Sequence, residues 1–421
     1  MTEITRRLFL RRSIAASAAV AAGSLAGGSL LSTRLAFSAP DSTSVDGRAV
    51  FIIMRGALDG LCAVPPYGDS AYASLRGALA VPPPGASGGG LKLDNLFALH
   101  PSLAFMHDCF GNGELAVLHA AATPYRERSH FDGQDVLESG VALPHASDSG
   151  WLNRALVLKN SQSARLGLAF GANVPLVMRG QAEVASWAPS KLAGLSEDTL
   201  QRVADLYAND PMLRQSLADA VSSDAIAAMA APVGASTAVA TGAAAQRGGA
   251  ARYLETMRAM ASFLRRDDGP RVAVMETTGW DTHANEGGAQ GQLAQRLAAL
   301  DAGLQEFRSA LVPAWRNTAV LLATEFGRTA AANGTRGTDH GTGSAAFVIG
   351  GAVAGGRVIA DWPGLSDRSL YEGRDLRPTL DLRSPMKALL HAQLHISDRE
   401  LDSTVFPDSS GARRLDGLIR A

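Results

Sequence analysis

The chain has 421 residues, 46% hydrophobic and 19% charged, a balance that excludes a disordered chain and supplies enough apolar material for a large core. Its 39 Lys and Arg nearly cancel its 40 Asp and Glu, and its 44 Gly follow no triplet period, which excludes a basic nucleic-acid tail and a collagen-like repeat. Two cysteines, Cys62 and Cys109, allow at most one disulfide and so no disulfide scaffold.

Residues 1–39 read as an address. Thr5-Arg6-Arg7-Leu8-Phe9-Leu10-Arg11 precedes an uncharged run from Ser13 to Thr33 that is rich in Ala, Gly and Ser. A basic front, an apolar middle and a small-residue end describe an export signal. The Arg6-Arg7 pair with Phe9-Leu10 behind it fits the twin-arginine type, with a cut near Ala36-Phe37-Ser38-Ala39. The competing reading, a membrane anchor, is weakened by Gly23, Gly27 and Gly28 and by a run of only about 20 residues. Cleavage after residue 39 removes five Arg and one Glu and leaves 34 basic and 39 acidic residues, a net charge of −5. A mildly acidic chain has no electrostatic footprint for nucleic acid or anionic lipid. The expectation is a periplasmic or secreted protein whose partner in transit is the twin-arginine export machinery, with no stable membrane span. That route carries folded proteins and leaves room for a metal loaded before export.

Arg48 to Met54 is a buried strand running into the glycine-punctuated turn Arg55-Gly56-Ala57-Leu58-Asp59-Gly60. Residues 80–90 form a Pro/Gly-rich surface loop, Ser102 to Phe110 a helix and Glu114 to Ala120 a second strand. Residues 195–248 are Ala-rich and read as a helical insertion. A helix from Ala250 to Arg266 and a strand from Arg271 to Glu276 follow. From Gln290 to Val312, Leu293, Leu297, Leu300, Leu304, Phe307 and Leu311 recur at alternating gaps of four and three, the stripe of an amphipathic helix. Thr318 to Thr324 and Ala345 to Gly350 are further buried strands. Strands separated by long crossovers imply a mostly parallel sheet covered on both faces, an α/β fold over residues 48–405.

In such sheets ligands bind beyond the carboxyl ends of the strands. Those positions carry Asp59, the run Arg126 to Asp132, Thr278-Gly279-Trp280-Asp281-Thr282-His283, Glu325-Phe326-Gly327-Arg328 and Gly337-Thr338-Asp339-His340-Gly341. His130, His283 and His340 each lie within two residues of an Asp. Imidazoles with carboxylates suit zinc, manganese, iron or magnesium, and such an ion polarises a phosphoryl or sulfuryl oxygen. Each residue also has a plain structural role open to it. Asp59 before Gly60 suits a turn, Asp281 a helix cap, and Glu325 an ion pair with Arg328. Ser129 is a nucleophile or an ordinary loop hydroxyl; adjacent residues point apart, which argues against a dyad with His130. Gly85-Ala86-Ser87-Gly88-Gly89 has the letters of a nucleophile elbow but no strand before it. Neither a phosphate-cradling Gly-Lys loop nor a CxxC pair is present.

Taken together, Met54 to Leu61, Arg128-Ser129-His130-Phe131-Asp132-Gly133-Gln134-Asp135, Gly279 to His283, Thr324 to Thr329 and Gly337 to Gly341 resemble the exported bacterial family known as domain of unknown function 1501. That family is similar, more remotely, to the alkaline phosphatase and sulfatase superfamily. The resemblance implies a three-layer α/β sandwich, alkaline-phosphatase-like, with a mostly parallel central sheet. It implies that Asp59, Asp281, His283, Glu325 and His340 hold a divalent ion (zinc, manganese or magnesium), and that a small anionic ester is the substrate. Ser129 stands as candidate nucleophile and Arg328 or Arg128 as anion clamp. Two departures count against carrying the chemistry over. Phe326 stands where the superfamily often has a histidine, and the nucleophile has no clear counterpart. The expectation is an exported metal-dependent hydrolase of phosphate or sulfate esters, against the alternative of a non-catalytic binding or export-associated protein on the same fold.

Overall fold

The computed structural model describes residues 46–159, 166–189, 197–207 and 243–420, with isolated positions between 210 and 226. The expected export signal, residues 1–39, lies outside the described residues. So does most of the expected insertion, residues 195–248, within which the helix Glu197–Leu206 is described.

Nine strands form one sheet among the described residues: β1 (Arg48–Arg55), β2 (Leu115–Ala122), β3 (Gly167–Phe170), β4 (Ala185–Trp187), β5 (Val272–Thr278), β6 (Thr318–Ala323), β7 (Ser344–Ile349), β8 (Arg357–Ile359) and β9 (Leu380–Asp381). Their spatial order is β8-β2-β7-β6-β1-β5-β3-β4, with β9 beside β2. Every pairing is parallel except the two that β7 makes with β2 and β6. The helices that matter here are α1 (Gly60–Ala63), α2 (Tyr72–Arg76), α3 (Ala104–Gly111), α4 (His130–Ser139), α5 (Trp151–Leu158), α6 (Ala243–Leu264), α7 (Gln292–Leu311) and α8 (Arg383–Leu394). No described helix is long and apolar enough to cross a membrane.

The central strand β1 is buried on both faces, and its side chains divide by parity. Val50, Ile52 and Met54 join the core under α3, α6 and α7; Ala49, Phe51 and Ile53 join the core under α4, α5 and α8. The result is three layers, helix on sheet on helix, as the sequence expectation has it. The stripe Leu293, Leu297, Leu300, Leu304, Phe307 and Leu311 is fully buried along α7. Each such side chain contributes roughly 1.5–3 kcal/mol relative to exposure, enough to hold a helix whose propensity alone is marginal.

The turn after β1 is built by close approach. A Cβ on Gly60 would sit 2.4 Å from the Ala345 nitrogen and 2.7 Å from the Ser344 carbonyl carbon, so only glycine lets α1 lie on the start of β7. The Ser344 hydroxyl donates to Leu58 O at 2.7 Å and ties the two segments together. The backbone cannot retreat without breaking the sheet, so Gly60→Ala is expected to cost about 2 kcal/mol or more. Denaturant unfolding measures this directly, and a loss within 0.5 kcal/mol, the usual range for a surface change, would contradict the packing.

Candidate metal centre

Four loops at the carboxyl end of the sheet bring their polar side chains to one rim. α4 starts there with His130; Asp281 and His283 follow β5; Glu325 and Arg328 follow β6; His340 precedes β7. The segments 327–329 and 339–341 pair as a short antiparallel ladder. Gly341 N–H donates to Gly327 O at 2.8 Å, Thr329 N–H to Asp339 O at 2.8 Å, and Arg328 bridges His340. Gly56 closes the assembly. Its φ is +119°, and a Cβ there would meet the Asp281 nitrogen at 2.6 Å, so glycine alone lets the end of β1 touch the Asp281 loop.

Asp281 is the centre of the rim. Its Oδ1 lies 3.0 Å from His283 Nε2 and 3.4 Å from His340 Nε2, and its Oδ2 lies 3.6 Å from His130 Nε2. His130, Asp281 and His340 are the group among the described residues whose ligand atoms lie close enough to share one ion, within 4.8 Å of one another. His283 Nε2 is 3.0 Å from His340 Nε2.

The far nitrogen of each ring fixes its tautomer. His130 Nδ1 is 2.8 Å from Glu325 Oε1, His340 Nδ1 is 2.9 Å from Arg128 O, and His283 Nδ1 is 3.3 Å from Asp339 Oδ1. These partners are acceptors, so each neutral ring carries its proton on Nδ1 and presents an Nε2 lone pair to Asp281. His130 Nε2 is buried with no hydrogen-bond partner. An unpaired buried acceptor and two imidazole lone pairs face to face are costly unless a cation or a proton lies among them. The donor set therefore fits a divalent ion, with imidazole oriented by carboxylate or carbonyl as zinc-type sites require.

The electrostatics agree. The Glu325 hydrogen bond outweighs burial and raises His130 above its ordinary 6.5. Burial, then the neighbouring His130, lowers His340. Burial pushes Asp281 up, but the Arg328 hydrogen bond and charge outweigh it and hold the carboxylate ionised.

The expected ligands Asp59 and Glu325 do not join this group. Glu325 is fully buried one step behind the rim. It accepts from His130, from Gly56 N–H at 2.8 Å, from Gln134 Nε2 at 3.1 Å and from the Thr324 hydroxyl at 2.9 Å. With both oxygens engaged it orients His130 and does not itself face the cluster. Asp59 caps α1 through Cys62 N–H and is paired with the fully buried Arg76. Burial pushes Asp59 up, yet the Arg76 guanidinium holds it below the usual range. Burial and the nearby Asp59 charge push Glu286 up to about 9, so Glu286 keeps its proton. The Thr338 hydroxyl donates to Glu286 Oε2 at 2.7 Å and accepts from Arg328 Nε at 3.1 Å, linking this buried group to the rim.

Arg328, expected as a clamp, is buried and committed. Its Nη1 donates to Asp281 Oδ1 at 2.6 Å, and its Nε and Nη2 each donate to Thr338, so it is committed to holding Asp281. Arg128 is paired with Glu372 and, at 2.9 Å, with Asp375. Ser129 stands at the N-cap position of α4 without a side-chain capping hydrogen bond, and receives no hydrogen bond from His130 among the described residues. Both cysteines are free and buried.

Residues 115–405 match the family described as "Protein of unknown function (DUF1501)". The chain belongs to this family. No curated protein matches it. Solved structures similar to it include a phosphonate monoester hydrolase of Agrobacterium radiobacter, at 12% identity and TM-score 0.36, over 76% of this chain and 73% of that one. They also include the PsFucS1 sulfatase from Pseudoalteromonas sp. (11%, TM-score 0.37, 89% and 74%) and the C-terminal periplasmic domain of EcEptC from Escherichia coli in complex with Zn (9%, TM-score 0.28, 74% and 74%). Likeness of this degree assigns no activity.

Arg76 and Glu325 can be tested apart from any activity. Arg76→Leu strands the Asp59 carboxylate in the core and should lower unfolding free energy by about 3–5 kcal/mol or abolish soluble protein; a loss below 1 kcal/mol in urea would contradict the pairing. Glu325→Gln removes the group that raises His130. The Glu325 hydrogen bond raises His130, and a proton competes with a metal at His130 Nε2, so metal release on acidification should move to lower pH in this variant. Affinity at pH 8 should nevertheless fall about 10–100-fold, because the ligand loses its orienting carboxylate. Competition with a chelating dye reads both effects, and an unchanged pH profile would refute the role given to Glu325.

Proposed function

We propose that this family member is an exported, metal-dependent hydrolase of phosphate or sulfate esters. One observation carries the reading. Three Nε2 lone pairs converge on the Asp281 carboxylate, each ring set by an acceptor on its other nitrogen. A merely structural cluster has no need to leave His130 Nε2 buried and unpaired. His130, Asp281 and His340 would hold the ion, with His283 as a further ligand or as a proton carrier on the exposed side. An imidazole-rich set favours zinc or manganese over magnesium, which prefers oxygen.

A bound ion in such a site polarises an ester oxygen and lowers the pKa of water. The protein's own groups do the rest. Arg328 fixes Asp281, Glu325 fixes His130, and Asp339 fixes His283. His283, half exposed at the rim, is placed to accept or return a proton at Nε2. Ser129 is half-buried beside this group and remains the hydroxyl to test as a nucleophile. Export through the twin-arginine pathway, proposed from residues 1–39, suits a protein that acquires its metal before crossing the membrane.

A second reading has its own support. Arg328 already compensates Asp281, and Phe326 stacks against His130 with ring centroids 5.0 Å apart. A non-catalytic protein in which the ion has been given up would keep both contacts. Elemental analysis of purified full-length protein separates the two. About one equivalent of zinc or manganese is expected, lost in His340→Ala, together with chelator-sensitive cleavage of aryl phosphate or sulfate. Protein without metal after expression in zinc- and manganese-supplemented cells favours the binding reading. Chelator-resistant cleavage that Ser129→Ala abolishes replaces both with a serine hydrolase.

A further inference from the structure

α4 presents a second face beside the rim. Phe131, Gln134, Asp135 and Glu138 fall at i, i+3, i+4 and i+7, and all four line a cleft of about 730 Å³. Its other walls are the ends of β1, β3 and β5 and the loop 171–176. The volume suits a small-molecule ligand and lies where parallel sheets bind them. Thr278 lines the cleft, and Asp281 stands three residues further on. Gln134 lines it too, and the same amide donates to Glu325 Oε1 at 3.1 Å, which in turn holds His130. One side chain therefore separates the cleft from the metal group.

The lining has a definite chemistry. Arg55 and Arg179 face three carboxylates: Asp135, Glu138 and Glu276. Arg55 is bound to Glu138 at 2.7 Å and to Glu276, and Arg179 Nε donates to Val174 O at 2.8 Å. Asp135 is already partnered by His145, a further lining residue, at 2.7 Å through its backbone N–H and 3.5 Å through its ring. The carboxylates of the cleft are thus met by Arg55, Arg179 and His145, and a lining this close to charge balance suits an uncharged end of a ligand better than an ion of either sign. Phe131 is 84% exposed, although it belongs to the first turn of a helix that carries a core residue at Leu137. An aromatic ring left open at a cleft mouth is a stacking platform. The polar groups around it offer acceptors and donors together, which suits hydroxyls better than hydrocarbon.

We infer that this cleft seats the leaving-group half of the ester as an uncharged, hydroxyl-bearing ring of mono- or disaccharide size, stacked on Phe131. The inference rests on the hydrolase reading for the words "leaving group", but the cleft can be tested without catalysis. Ligand-observed NMR on full-length, chelator-treated protein should show binding of lactose or maltose. Sodium sulfate and phenethylamine serve as anionic and cationic controls. Phe131→Ala should weaken saccharide binding about three- to tenfold. Ala172→Trp, an exposed change that fills the mouth, should abolish it. Neither variant should alter metal content. No saccharide binding, binding unchanged in both variants, or preference for sulfate or the amine overturns the inference. Saccharide binding without cleavage of any ester leaves the ring site standing and removes the hydrolase reading; cleavage of simple aryl esters without saccharide binding does the reverse.

Discussion

The rest of the site depends on one ion pair between a buried guanidinium and an exposed carboxylate. Arg328 has no solvent to turn to, and its donors are held by Thr338 on one side and Asp281 on the other. Asp281 stands in a partly open loop where a lone carboxylate would swing freely. The pair fixes one oxygen and leaves the other, 3.6 Å from His130 Nε2, free to bind. Because Thr338 is two residues before His340, the same guanidinium also sets the loop that carries His340. A single buried charge thereby registers β5, β6 and the approach to β7 against one another.

Behind the rim the polar network continues inward in place of the expected apolar core. Asp59, Arg76, Glu286 and Thr338 are all buried. Two acids against one guanidinium cannot both stay ionised in a medium this poor in water, so Asp59 takes the charge and Glu286 the proton. An apolar replacement of similar volume would be no less stable in principle. What the buried acids add is direction: a hydrogen-bonded group has one arrangement, whereas packed hydrocarbon has several. That constraint is transmitted through Thr338 to Arg328, and it explains why loops so rich in glycine hold a defined geometry.

The legibility of the sequence follows from how local each cause is. β1, β6 and α7 are readable because burial on two faces, or on one stripe, leaves a pattern in consecutive residues. The strand-end rule picks out Asp281 and His283 because their position depends only on where β5 stops, and it reaches His340 because antiparallel β7 starts at the same rim. It fails to separate Asp59 from them, since the guanidinium that occupies Asp59 is 17 residues away on α2, a short helix with no periodic signal. It places Glu325 one step too far forward, because nothing in Thr324 to Arg328 shows that His130 lies between that carboxylate and the rim. His130 is visible as a histidine near an aspartate. Its place in the cluster with Asp281 and His340 appears only when α4 is folded back so that Nδ1 meets Glu325. Gly56 is legible as a turn, while its function in admitting the Asp281 loop requires a contact 225 residues away in the chain.

The remaining tension lies at Asp281 itself. A guanidinium and a metal ion would compete for the same carboxylate, and the geometry offers each its own oxygen. Oδ1 faces Arg328, His283 and His340; Oδ2 faces His130. A cation drawn toward Oδ2 would take the Nε2 of His130, a buried imidazole nitrogen without a hydrogen-bond partner. A cation drawn toward Oδ1 must share that oxygen with a permanently charged group 2.6 Å away, at a repulsive cost that water screens poorly so close to a buried side chain. A cation held here would accordingly find its favourable place on the His130 side of the carboxylate.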